Sequence, residues 1–156
     1  MGAVYKIEEK QKLQKGLYYI GDPCYIIPDE EWADALDSTR LFNLFKDDSQ
    51  QDYNLKEDQH GVFSRDGVLF AASSTAYGDG FYSLSGPGIK GVRCAVDAGL
   101  LAAIPLYGVT LKQQQEAYAL QSRGLAAVVQ MKGRFTIGYK NGRVRFGSYS
   151  LNTGSE

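Results

Sequence analysis

The 156 residues carry 17 Lys and Arg against 18 Asp and Glu, with two cysteines and one histidine. One domain of this length buries about 70% of the surface that its unfolded chain exposes, so it needs no disulfide or metal staple. The balanced charge excludes a globally basic nucleic-acid binder, the two cysteines are too few for a CxxC zinc or redox site, and no apolar run is long enough to span a bilayer.

The chain therefore reads as a soluble, cytoplasmic protein, with Cys24 and Cys94 as buried reduced thiols. No general nucleic-acid binding and no membrane association are expected. Homo-oligomerisation is compatible with the composition. A single domain over residues 1–149 and a flexible tail over 150–156 are expected, without internal repeats.

The first expected strand is "GLYYIG", followed by the glycine-flanked acid of "IGDPCY". "PDEEWADALDS" places a proline and acids where a helix begins, with Trp32, Ala35 and Leu36 at helical spacing, and "RLFNLF" extends it. The polar, acidic stretch over 46–61 has no periodicity and reads as a lid or an ordered loop. "HGVFSRDGVLFAASS" predicts a hairpin turning at Asp66-Gly67. Further strands are expected at "FYSLS", "GVRCAVD", "LLAAIP" and "LAAVVQMK".

A second helix is expected over "TLKQQQEAYALQSRG". Thr110 is its N-cap, Leu111, Ala117, Tyr118 and Leu120 are its apolar points, and Gly124 ends it. "GRFTIGYK" and "RVRFGSYS" flank Asn141-Gly142, the dipeptide suited to a two-residue type I′ turn. That turn sets Lys140 opposite Arg143, Tyr139 opposite Val144 and Ile137 opposite Phe146, with Arg134, Lys140, Arg143 and Arg145 on the polar face. The expected fold class is α+β: a bent, mostly antiparallel sheet or partly closed β-barrel with two packed helices.

"GDGFYS" starts like a dinucleotide fingerprint, but Ser83 takes the third glycine position and no helix can follow "SGPG"; "GPGIKG" lacks the ending of a P-loop. His60, as the sole histidine, excludes sites that need two imidazoles, and no nucleophile-elbow motif is present.

What remains are Asp22, Asp79 and Asp97, each beside glycine or proline at an expected strand end. Each either caps its own turn or joins a shared rim. At such a rim Tyr18, Tyr19, Tyr25, Tyr77, Phe81 and Tyr82 would supply flat walls for a ring-bearing polar ligand. Gathered acids could alternatively hold Mg²⁺ or Ca²⁺, or serve as acid and base.

Across "YYIGDPCYIIPDEEW", "STAYGDGFY" and "VDAGLLAAIP", over roughly residues 17 to 106, the chain resembles a group of small uncharacterised bacterial and phage proteins with GDPCY, YGDG and VDAG motifs in this order. The resemblance implies a phage or mobile-element setting, in which capture of a nucleotide signal as a counter-defence is one concrete expectation. It carries no activity, cofactor or catalytic residue.

The leading functional expectation is a binding protein for a small polar, nucleotide-like ligand. Asp22, Tyr77, Asp79, Tyr82 and Asp97 would surround the pocket, and Arg143 and Arg145 would be secondary anion contacts. The alternatives are a carboxylate- or metal-dependent hydrolase of the phosphodiester class and a protein-interaction module without a small-molecule site.

Overall fold

A computed structural model describes residues 5–7, 12–27, 60–65, 67–75, 79–89, 91–97 and 100–153. The strands are β1 (Tyr5–Ile7), β2 (Gly16–Gly21), β3 (His60–Arg65), β4 (Val68–Ser74), β5 (Gly80–Ser85), β6 (Arg93–Val96), β7 (Leu100–Pro105), β8 (Ala127–Met131), β9 (Ile137–Lys140), β10 (Arg143–Phe146) and β11 (Tyr149–Asn152). One α-helix, α1 (Leu111–Ser122), precedes β8.

Two sheets result. Six strands run in the order β1-β3-β4-β7-β2-β8 and five in the order β6-β5-β11-β10-β9. Every strand pairing is antiparallel.

Burial explains the division. Tyr18, Ile20, Ala71, Leu101, Ala103 and Val129 of the first sheet meet Tyr82, Leu84, Cys94, Val144, Phe146 and Leu151 of the second in one core. The opposite face of the first sheet, with Tyr19, Phe70, Leu100, Ala102 and Ile104, packs against Ala117 and Leu120 of α1 and against Ile26 and Ile27. The first sheet is thus covered on both sides, so β7 is buried at every residue and "LLAAIP" is apolar without alternation. The second sheet is covered on one side only, and β10 accordingly alternates exposed and buried residues.

Turn and cap chemistry holds the local elements. Asn141 and Gly142 have φ of 50° and 82°, the pair of positive values that a type I′ turn needs. The register matches the expectation: Lys140 pairs with Arg143, Tyr139 with Val144 and Ile137 with Phe146. The β3–β4 hairpin closes Arg65 onto Val68 around the expected turn. Thr110 and Gln113 form a reciprocal capping box, and Gly124, at φ 71°, follows the helix. Leu111 and Tyr118, expected as apolar anchors of α1, lie on its exposed side.

Three expectations change. The sheet is neither one bent layer nor a partly closed barrel: two open sheets stack, because the apolar inner faces of both bury each other in one shared core. One α-helix packs on the six-stranded sheet among the described residues; the helix expected over 28–38 and the acidic stretch over 46–59 lie outside those residues. Residues 150–152 are not tail but part of β11, which lies between β5 and β10. Leu151 and Thr153 are fully buried, and the Thr153 hydroxyl donates to the Gly142 carbonyl at 2.5 Å.

Candidate functional site

"IGDPCY" folds as a knot between the two sheets. β2 ends at Gly21, where an added Cβ would come within 2.7 Å of the Tyr19 hydroxyl and 2.9 Å of Ala126 Cβ, so only glycine fits. Asp22 then caps a single 3₁₀ turn, Pro23–Tyr25, with proline at its start. The Asp22 carboxylate is fully buried. Oδ1 accepts from the Cys24 amide at 2.9 Å and Oδ2 from the Asp97 amide at 2.7 Å, which ties the end of β2 to the end of β6.

Two hydroxyls brace the knot. Tyr19 donates to the Asp22 carbonyl at 2.7 Å, and Tyr25 donates to Asp97 Oδ2. Burial and then the Asp97 hydrogen bond push the Tyr25 phenol far above its ordinary range, so it stays protonated as a donor. Burial likewise pushes Tyr19 well up and the Cys94 thiol up to about 12. Cys94 donates to the Ile20 carbonyl at 3.6 Å and behaves as a core residue.

Asp79 belongs to the same rim. β5 pairs with β6 from Gly80 opposite Val96, so one further step of that register carries Asp79 opposite Asp97. The backbones of the three acids therefore converge. Their carboxylates do not form a ligand set: among the described residues, no group of three or more His, Cys, Asp or Glu side chains could hold a metal ion.

Tyr82, expected as a pocket wall, is only 1% exposed and points into the core between the sheets. The alternation of β5 turns Phe81 outward instead. Tyr77 lies outside the described residues.

Arg143 and Arg145 sit elsewhere. Arg145 pairs with Ser150 and Ser150 with Ser85, placing Arg145 six residues along β5 from Asp79, about 20 Å at strand rise. Acids and arginines therefore do not share one pocket. The arginines line a surface depression of about 530 Å³ formed by Gly138, Tyr139, Lys140, Asn141, Arg143, Arg145 and Asn152. Gly138 opens it, since it bears no side chain between the rows of cations.

Arg143 donates to the Ser150 hydroxyl at 3.2 Å. Lys140, Arg143 and Arg145 are exposed, and no ion pair joins them to a described residue. Residues 117–155 include six Lys and Arg and no Asp or Glu, and three of those cations line this depression. The directly opposed Lys140 and Arg143 repel each other by a few tenths of a kcal/mol to about 1 kcal/mol, which an anion between them would relieve.

Sequence reasoning named the cations of the hairpin but missed Asn141 and Asn152 as amide donors beside them. Asn141 was visible only as a turn residue, and Asn152 was assigned to a tail. Comparison with protein-family models, characterised proteins and solved structures finds no match to this chain.

Proposed function

We propose that the protein binds a phosphate-bearing, nucleotide-like small ligand, with the depression over β9, β10 and β11 as its site. The observation that carries this reading is a concave surface lined by Lys140, Arg143 and Arg145 and, among the described residues, by no carboxylate. Guanidinium forks match the oxygens of a phosphate in pairs, and Lys140 adds a mobile point charge. The Asn141 and Asn152 side chains offer donors and acceptors to a sugar or base edge. A hydrolytic role for the acids has no comparable support, because both oxygens of Asp22 bind main-chain amides and Asp97 accepts from Tyr25.

Thermal-shift and calorimetric titration with nucleoside mono-, di- and triphosphates tests this reading. At 100 times Kd a true ligand stabilises by about 2.7 kcal/mol. The shift should disappear in Arg143→Ala/Arg145→Ala. It should weaken in Gly138→Leu, which fills the depression without altering charge and whose Cβ meets no atom within 4 Å. No shift with any nucleotide, or a shift that survives the double substitution, overturns the proposal.

A further inference from the structure

The depression does not end at β11. Arg143 pairs with Asn152, the β5–β11 register continues from Asn152 to Ser83, and Ser83 pairs with Arg93. With Lys140 opposite Arg143, one outward row crosses all five strands as Lys140, Arg143, Asn152, Ser83 and Arg93. Four strand spacings make that row about 20 Å long.

Cations stand at both ends of the row, with an amide and a hydroxyl between them. Next to it the exposed ring of Phe81 lies under the Arg93 guanidinium, 5.2 Å from ring centroid to Cζ. The strands of this sheet carry no acid; Asp79 and Asp97 lie just past the ends of β5 and β6 and bound the face on that side.

From this row we infer that the outward face of the five-stranded sheet is a landing surface for single-stranded nucleic acid. The inference rests on the depression being a phosphate site and extends its ligand from a free nucleotide to a strand. Lys140, Arg143 and Arg145 hold phosphates on one side. The Phe81–Arg93 pair stacks a base on the other, since aromatic faces and guanidinium planes both accept bases without sequence preference. Asn152 and Ser83 hydrogen-bond the backbone between them. The near-neutral net charge excludes a globally basic protein, not a basic face of this size.

The test measures fluorescence anisotropy of a labelled oligothymidylate of about ten residues, beside thymidine diphosphate and a poly-glutamate of similar length. The oligonucleotide should bind at least about tenfold tighter than the diphosphate and lose affinity steeply with salt, by about 0.7 log units per log unit of salt for each phosphate held. Phe81→Ala should weaken oligonucleotide binding about tenfold, Phe81→Tyr should restore it, and neither should alter diphosphate binding.

If the diphosphate binds while the oligonucleotide gains nothing over it, or Phe81→Ala leaves oligonucleotide binding unchanged, the inference falls and the nucleotide site stands. Poly-glutamate binding as tightly as the oligonucleotide overturns the inference in favour of an acidic protein partner. If neither nucleotide nor oligonucleotide binds, both readings fall.

Discussion

Asp22 occupies the most constrained position of the three acids: its buried carboxylate satisfies the amides of Cys24 and Asp97 at once. Charge-assisted bonds of this kind are about twice as strong as neutral ones, and leaving a buried donor unsatisfied costs about 1–3 kcal/mol. Asp22→Asn must turn one amide NH₂ toward a main-chain N–H, so it should lose about 2 kcal/mol in urea denaturation. Asp22→Ala frees both amides and should lose roughly twice as much. Neither should change nucleotide affinity at the basic depression, because the knot lies at the opposite end of β5. A folded Asp22→Asn protein with unchanged stability but no nucleotide binding would return this residue to the ligand site. Gly21 adds a steric argument at the same point, since the Tyr19 hydroxyl occupies the space of a side chain there.

At the scale of elements, β11 carries more than its length suggests. It joins β5 to β10, so removing it splits the second sheet into β6-β5 and β10-β9. A chain ending at Ser148 also loses buried Tyr149 and Leu151, each worth about 2 kcal/mol of burial. It should show no cooperative thermal transition, whereas a chain ending at Thr153 should melt like the full protein. A native melting temperature for the shorter chain would contradict this account of the sheet. The contrast explains what the sequence made visible. Both hairpins and the caps of α1 follow from residues within a few positions of each other, Asn141-Gly142 and Thr110 with Gln113 above all. β11 pairs with β10 across the two-residue turn Gly147-Ser148, a local signal hidden inside the continuous run "RVRFGSYS", whereas its other partner β5 lies more than sixty positions away and no local pattern announces that pairing. The same distance hid the row from Lys140 to Arg93, while Arg143 and Arg145 were visible because they flank one tight turn. Tyr82 and Phe81 were both read as pocket walls because sequence shows the alternation of β5 without showing which face meets the first sheet.

Across the whole molecule, stacking two sheets and a helix places weakly acidic hydroxyl and thiol groups where water cannot reach them. Cys94 is fully buried between the sheets and its thiol is pushed up to about 12 by burial; burial also pushes Tyr18 and Tyr19 well above the ordinary phenol range. In the unfolded chain these groups release their protons at lower pH, the thiol from about 9 upward. Above that pH the unfolded state holds fewer protons than the native state, so stability falls as pH rises. The contribution of Cys94 is therefore complete below about pH 9 and lost progressively as pH climbs through about 12, at about 1.4 kcal/mol for each pH unit. Denaturant midpoints should decline over that window. Cys94→Ala should lower stability at neutral pH, by vacating core volume, and make the alkaline decline shallower. Tyr18 and Tyr19 should leave the variant with a residual decline at alkaline pH. A wild-type midpoint unchanged up to pH 11 would mean that the thiol and the phenols reach solvent, which the packing of β2 against β6 and β7 denies them.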